Sequence, residues 1–164
     1  MSNTPAPIIP YLRVAGAAAA IEFYKQAFGA TEEFRLNAPD SDTVVHAEIM
    51  LRGSRVMLSD DMPEYQGGKS LTPIGLGGSP VSLHLQLDSQ EELDALWSQA
   101  VAAGCVVAMP LAEQFWGDRF GMLTDPYGHA WSLAATVKVL TGEEMQSAMI
   151  AAFSAGGGCG GEPD

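Results

Sequence analysis

The feature that most constrains the fold of this chain is a hairpin at residues 115–133, FWGDRFGMLTDPYGHAWSL. Its turn can be assigned from residue types, because Asp125, Pro126 and Gly128 suit positions i, i+1 and i+3 of a type I turn. Gly128 can adopt a positive φ and form a bulge, as is common in hairpin loops of this length. Aromatic and apolar residues on both sides of the turn then predict two paired strands.

A weaker copy of this hairpin lies 75 residues earlier in the chain. There Arg52 and Gly53 separate two apolar runs, and Gly53 corresponds to Gly128 at an offset of 75 residues. Upstream, Tyr24 corresponds to Trp97 at an offset of 73 residues. Loops of unequal length account for this small drift between the two offsets. The duplication therefore predicts two copies of one structural unit.

The two halves of the chain contain the same order of predicted elements. Helical or alternating spacing of apolar residues predicts, in the first half, a strand at 8–14, a helix at 16–28 and strands at 31–36, 43–51 and 55–59. The second half repeats this order with a strand at 81–87, a helix at 90–103, a strand at 105–110 and the hairpin. We therefore predict an α+β fold of two tandem βαβββ modules.

The composition also predicts where the modules begin and end. We expect the first module at residues 6–60 and the second at 81–137. Residues 61–80 join them and are rich in Gly and Pro, so no packed element is expected there. A C-terminal helix is expected within 138–153, whereas the Gly-rich residues 154–164 are expected to form a disordered tail.

The chain is strongly acidic, with 20 Asp and Glu against 8 Lys and Arg and a net charge of -12. A field of this sign repels phosphate backbones, so we expect no nucleic-acid partner. No apolar run reaches the roughly 18 residues that span a bilayer, and no secretory signal is recognisable, so we expect a cytoplasmic protein without a membrane partner. Cys105 and Cys159 form no metal or redox motif and are expected to be free thiols.

Several segments resemble one known superfamily. They are IEFY at 21–24, HAE at 46–48, VMLSD at 56–60, MPL at 109–111, QFWGDRFG at 114–121 and DPYGHAW at 125–131. Together with the two βαβββ modules, they are similar to the vicinal oxygen chelate superfamily of glyoxalase I, extradiol dioxygenases and bleomycin-resistance proteins. The closer resemblance is to its PhnB-like branch, and it covers about residues 6–137.

The resemblance implies a curved, half-open mixed sheet around a cavity, and a homodimer that covers the remaining sheet edges and apolar faces. It also implies a divalent metal bound by His, Gln or Glu on the first and last strands of each module. Carrying these positions over places Ile9 and Ser82 on the first strands and Met57 and Ser132 on the last strands. Ile has no donor atom, Met is a soft thioether and neutral Ser is a weak ligand. We therefore expect neither the usual metal site nor another cofactor.

The residues expected to line the cavity come from both modules. His84 lies two residues after Ser82 and shares its strand face with Ser82 and Gln86. Trp116 shares a face with Asp118 and Phe120. Arg119 either pairs with Asp118 or another carboxylate, which is the favoured interpretation, or binds an anionic group of the ligand. The expected lining consists of Ile9, Tyr11, Met57, Ser82, His84, Trp116, Arg119 and Ser132.

Two functional hypotheses follow from these residues. In the first, the protein is a metal-free homodimer whose cavity binds a small organic ligand. In the second, a metal-dependent lyase, isomerase or dioxygenase uses a shifted ligand set of His84 with His46 and Glu48. His46 and Glu48 alternate on one strand face, where a contact between them on a solvated surface is the favoured interpretation. We favour the first hypothesis because all four usual positions lack metal ligands.

Overall fold

The computed structural model describes residues 8–155, which form two modules, a connection and a C-terminal helix. The first module contains β1 (Tyr11–Val14), α1 (Ala17–Phe28), β2 (Thr31–Asn37), β3 (Val44–Leu51) and β4 (Ser54–Asp60). A 3-10 turn (Pro63–Tyr65) and α2 (Pro73–Leu76) follow in the connection. The second module contains β5 (Ser82–Leu87), α3 (Gln90–Ala103), β6 (Val106–Glu113), β7 (Asp118–Thr124) and β8 (Ala130–Thr136), before α4 (Gly142–Ser154). The predicted α+β fold of two βαβββ modules is confirmed.

The two four-stranded sheets have equivalent topologies. Their strand orders are β1-β4-β3-β2 and β5-β8-β7-β6. In each sheet the first strand runs parallel to the last strand of its module, and the other pairs are antiparallel. Tyr11 lies opposite Met57 in the first sheet, and His84 lies opposite Ser132 in the second. The two pairs therefore occupy matching positions in the duplicated fold.

The two hairpin turns adopt the conformations that their residues favour. Arg52 and Gly53 both have positive φ, at 49° and 82°, as a tight two-residue hairpin loop requires. In the second module, Gly128 has a φ of 87° and donates its backbone N–H to the carbonyl of Asp125 at 3.0 Å. Both positive-φ glycines lie where the duplicated turn was predicted.

One hydrophobic core serves both modules, because α1 and α3 pack against each other as well as on their own sheets. The ring centroids of Phe28, from the first module, and Trp131, from the second, are 4.4 Å apart. Tyr24 and Leu93 are fully buried in the same cluster. The modules therefore fold onto each other through their helices.

One side of each sheet packs on the helices α1 and α3. The other side faces away from them, and we call it the open face of that sheet. The open face of the first sheet carries Tyr11, Phe34, His46, Glu48 and Met57. The open face of the second sheet carries Ser82, His84, Phe120, Ser132 and Thr136. Polar and aromatic side chains thus alternate with the buried aliphatic ones, as strands with one solvated face require.

The expectation that the connection holds no packed element is wrong. Thr72 caps the N-terminus of α2 by accepting a hydrogen bond from the backbone N–H of Gly75 at 3.1 Å. Thr72 and Pro73 are buried, and a Cβ added to Gly128 would lie 3.0 Å from the Cβ of Pro73. The helix packs on the turn of the second module. Its four residues are too few to show a periodic pattern in the sequence.

The described residues include one of the two cysteines and only the start of the predicted C-terminal tail. Cys105 is a buried free thiol, as expected, whereas Cys159 lies outside the described residues. Most of the predicted tail, from residue 156 onward, also lies outside them. Within residues 8–155, no helix is both long enough and apolar enough to cross a membrane.

Candidate functional site

A chain of hydrogen bonds centred on His84 crosses the open face of the second sheet. Its Nδ1 lies 2.9 Å from Ser132 Oγ, and its Nε2 lies 3.2 Å from Gln86 Oε1. Gln86 Nε2 donates to Thr136 Oγ1 at 3.3 Å, and that hydroxyl donates to Asp118 Oδ1 at 2.8 Å. Because Gln86 Oε1 can only accept, this arrangement assigns a proton to His84 Nε2, whereas the Ser132 hydroxyl can donate to Nδ1 or accept from it.

Aromatic rings flank this polar chain. The Phe120 ring is nearly parallel to the His84 ring, with centroids 6.4 Å apart and an interplanar angle of 18°. Trp116, in the turn between β6 and β7, meets Phe120 edge-on at a centroid distance of 5.6 Å. The open face of the second sheet therefore combines hydrogen-bonding groups with aromatic surface, which is the composition of many small-molecule sites.

The open face of the first sheet carries a different set of contacts. Tyr11 Oη lies 3.0 Å from His46 Nδ1, and His46 Nε2 lies 3.4 Å from Glu48 Oε1. The other carboxylate oxygen of Glu48 pairs with Arg55 Nη1 at 3.0 Å. His46 and Glu48 are therefore in contact with each other, and Glu48 also has Arg55 as an ion-pair partner.

The structure separates the sequence-predicted cavity residues into two groups. Tyr11 and Met57 lie opposite each other on the first sheet, with Ile9 just before β1. On the second sheet, His84 lies opposite Ser132, with Ser82 at the start of β5. Trp116 lies in the β6–β7 turn and extends the second group through Phe120.

The placement of Arg119 in the cavity lining is wrong. Its Nη1 and Nη2 each lie 2.8 Å from a different carboxylate oxygen of Asp94 on α3. Strand alternation puts Arg119 on the side opposite Phe120, next to Gly121, which contacts Trp97 of the same helix. The favoured interpretation, a carboxylate partner, is therefore the observed one. The partner comes from the helix and was not identified in the sequence.

Comparison with known proteins relates this geometry to a family. The sequence matches the family model described as Glyoxalase/Bleomycin resistance protein/Dioxygenase superfamily over residues 7–133. The chain belongs to this superfamily. The PhnB-like resemblance is also supported by a solved structure from Bacillus cereus, described as a putative 3-demethylubiquinone-9 3-methyltransferase, PhnB protein. That structure is 25% identical, with a TM-score of 0.61, over 80% of this chain and 100% of that chain.

Two other relatives are more similar in sequence. An uncharacterized protein of Mycobacterium bovis is 44% identical over 147 residues, covering 90% of this chain and 94% of the relative. A crystal structure of a Pseudomonas aeruginosa protein is 32% identical with a TM-score of 0.64, covering 80% of this chain and 98% of that chain. These alignments extend over both modules.

The residues of this chain do not fit the divalent metal expected for the superfamily. The four usual positions hold Ile9, Met57, Ser82 and Ser132, which offer no imidazole or carboxylate. The shifted set does not converge either, because His46 and Glu48 lie on the first sheet and His84 lies on the second. Within residues 8–155, no group of three or more His, Cys, Asp or Glu is arranged to hold a metal ion.

Sequence reasoning placed several site residues on the correct face without predicting their contacts. Alternation alone put Gln86 beside His84 and put Asp118 beside Phe120. The link through Thr136 was missed, since it depends on the pairing of β5, β7 and β8. This register brings together residues up to 50 positions apart in the chain, such as Gln86 and Thr136.

Proposed function

We propose that this member of the glyoxalase/bleomycin resistance superfamily binds a small organic molecule on the open face of the second sheet, without a divalent metal. The single observation that carries the proposal is the hydrogen-bonded pair of His84 and Ser132 beside Phe120, with 2.9 Å between Nδ1 and Oγ. Ser132 stands at one of the four positions to which the resemblance assigns metal ligands, so an imidazole and a hydroxyl occupy that region instead.

The chemistry of this face favours a planar, polar ligand. The rings of Phe120 and Trp116 offer surface for stacking, which is worth about 0.5–1.5 kcal/mol for each aromatic pair. Ser132 and the neighbouring His84 and Gln86 provide both donors and acceptors at its edge. Asp118 ends the chain with a carboxylate and disfavours anionic ligands at that position. We therefore expect an uncharged or cationic aromatic or heteroaromatic molecule.

Metal analysis and ligand binding test the proposal together. After dialysis, the purified protein is expected to retain far less than one equivalent of zinc, manganese or nickel by elemental analysis. Heteroaromatic compounds are then screened by ligand-observed NMR. His84→Ala is expected to weaken binding of a hit about tenfold, as loss of one hydrogen bond to the ligand predicts. His46→Ala, the matched change on the first sheet, should leave it unchanged.

Two results would contradict the proposal. One stoichiometric metal ion per chain that survives dialysis would favour the metal-dependent lyase, isomerase or dioxygenase hypothesis. Equal weakening by His84→Ala and His46→Ala would show that the ligand does not bind at the open face of the second sheet.

We also propose that the protein is a homodimer and that α4 takes part in the contact. No residue of α4 is buried, and Ile150 and Phe153 are 56% and 59% exposed. Phe153 meets Phe115 at a centroid distance of 6.5 Å, so this apolar surface continues onto the second module. A second copy would cover it. Light scattering is expected to give twice the chain mass of 17.3 kDa, and a monomer at micromolar concentration would contradict the proposal.

A further inference from the structure

A cavity of about 810 Å³ lies at one end of the open face of the first sheet, away from His84. It is bounded by the loop that joins β2 to β3 and by the start of the connection after β4. Its lining includes Arg13, Leu36, Thr43, Val45, Met62 and Gln66. The volume falls within the roughly 300–1,000 Å³ of small-molecule sites, and half of these side chains are apolar.

Arg13 differs from the other arginines in its surroundings. Its Nη1 donates to Ser59 Oγ at 2.7 Å, and its guanidinium lies 5.2 Å from the centroid of the Tyr11 ring. Within residues 8–155 it makes no ion pair. Each of the other arginines has a carboxylate partner there: Arg35 pairs with Glu32, Arg52 with Glu92, Arg55 with Glu48, and Arg119 with Asp94. Arg13 therefore retains N–H donors and lacks a carboxylate at ion-pair distance among the described residues.

The carboxylate of Asp61 acts on Arg13 only at longer range. A hydrogen bond from Ser70, and to the smallest extent the charge of Arg13, lowers the pKa of Asp61. Its Oδ1 accepts from Gln66 Nε2 at 3.1 Å and from the backbone N–H of Leu71 at 3.2 Å. No Asp61 oxygen lies within ion-pair distance of Arg13. A partly buried guanidinium that lacks a counterion, in a chain of net charge -12, is the signature of a site for an anion.

A second polar atom in the lining also lacks a partner. Gln66 Oε1 is buried and accepts no hydrogen bond from the residues that the structure describes, although its Nε2 donates to Asp61. Because this oxygen is closed to solvent, the charge of Arg13 and not this acceptor defines the ligand class. Glu64, on the rim, is exposed and disfavours a doubly charged ligand. The site therefore suits one negative charge with an apolar body against Leu36 and Met62.

We propose that this cavity binds an organic monocarboxylate, with Arg13 as the group that recognises the carboxylate. The inference rests on the proposed function in one respect, the binding of small organic molecules without a metal, and it adds a separate site and a ligand class. A guanidinium binds a carboxylate through parallel N–H···O bonds, which a neutral amide cannot replace.

Matched pairs of carboxylates and amides test this proposal. Octanoate and cinnamate are titrated into the full-length protein by calorimetry, alongside octanamide and cinnamamide. The carboxylates are expected to bind at least about tenfold more tightly, as one charge-assisted hydrogen bond predicts. Arg13→Gln should remove this preference and Arg13→Lys should retain part of it. Arg52→Gln, which removes the same charge at a distant turn, should leave it intact.

The possible outcomes separate this inference from the proposed function. Equal carboxylate affinity in the wild type and in Arg13→Gln, with unchanged circular dichroism, would overturn the inference. Binding of heteroaromatic compounds that His84→Ala weakens, with no binding of the carboxylates, would also overturn it but would leave the proposed function standing. Tighter binding of octyl phosphate than of octanoate would overturn the choice of a singly charged group. Carboxylate binding that is lost in Arg13→Gln and retained in His84→Ala would establish the separate site.

Discussion

Tyr24, on the helix of the first module, donates its hydroxyl to Asp125 Oδ2, on the turn of the second module, at 2.8 Å. The same oxygen accepts from Trp131 Nε1 at 2.9 Å, and Oδ1 accepts from the backbone N–H groups of Tyr127 and His129 at 2.9 Å. Asp125 is only 4% exposed. One buried carboxylate thus shapes the hairpin turn and joins the two modules.

Asp125→Ala is expected to lower the free energy of unfolding by about 3–5 kcal/mol, because it leaves several buried donors without an acceptor. Urea denaturation followed by circular dichroism measures the change. Tyr24→Phe removes only one of these bonds and is expected to cost about 1–2 kcal/mol. Equal losses for the two variants would contradict the central role of the carboxylate.

The protein is expected to lose stability in alkaline solution. Burial, and next the charge of Asp125, raises the pKa of the Cys105 thiol from 9.0 to about 12. Burial and Asp125 also raise the pKa of Tyr24 well above 10.0. As the pH rises, the unfolded chain therefore releases these two protons at a lower pH than the folded chain does. The contribution of the protonated groups to the free energy of unfolding is complete below pH 9. It is lost as the pH rises through 9 towards 12, by up to about 1.4 kcal/mol per pH unit for each proton.

Urea midpoints measured between pH 8 and pH 11 check this dependence. Cys105→Ala removes the thiol and should reduce the slope of stability against pH most clearly just above pH 9, where the Tyr24 hydroxyl of the unfolded chain is still mostly protonated. A wild-type curve that is already flat just above pH 9 would contradict the assignment to Cys105.

Gly121 on β7 leaves room for the helix α3. A Cβ at this position would lie 2.6 Å from Trp97 Cη2 and 3.1 Å from a methyl carbon of Leu111. Gly121→Ala is therefore expected to destabilise the protein by about 1–3 kcal/mol through overpacking. Gly142→Ala is the matched control, because a Cβ there meets nothing within 4 Å. It should be neutral or stabilising, by up to about 1 kcal/mol. Thermal unfolding of both variants measures the difference, and similar melting temperatures would contradict the close packing.

The proposed dimer makes a prediction about α4. Ile150→Asp places a charge on the exposed apolar surface of the helix and is expected to shift the protein to the monomer. Ala151→Asp makes the same change of charge at the neighbouring exposed position, about 100° around the helix, and should leave the dimer intact. Light scattering across a concentration series checks both variants. A wild-type dimer that persists in Ile150→Asp would exclude α4 from the interface.

Local patterns in the sequence predicted the elements of this fold well. The turn at Asp125 and Gly128 and the helix at 90–103 lie where residue types placed them, since both depend on contacts within a few residues. The helix α2 was missed because its capping residue Thr72 and its Pro73 form a single turn without periodicity. Packing on the second module, and not propensity, stabilises it.

The candidate sites were predicted less completely, and the reason is again the range of the interactions. The sequence placed His84 and Ser132 in the cavity lining, on the first and last strands of the second module, but it did not predict the hydrogen bond between them. It left two interpretations for Arg119, and the position of Asp94 on the facing helix decided between them. It gave no indication that Arg13 lines a cavity, because the cavity forms between segments that are distant in the chain.

The sequence by itself determined the duplicated βαβββ order, the hairpin turns, the superfamily and the lack of its usual metal ligands. These properties follow from residue types and spacings within each module. Only the tertiary structure decided which carboxylates neutralise which cations, and it left Arg13 as the arginine without an ion pair among residues 8–155. Charges pair through space, and the register of strands against helices sets the distances between them.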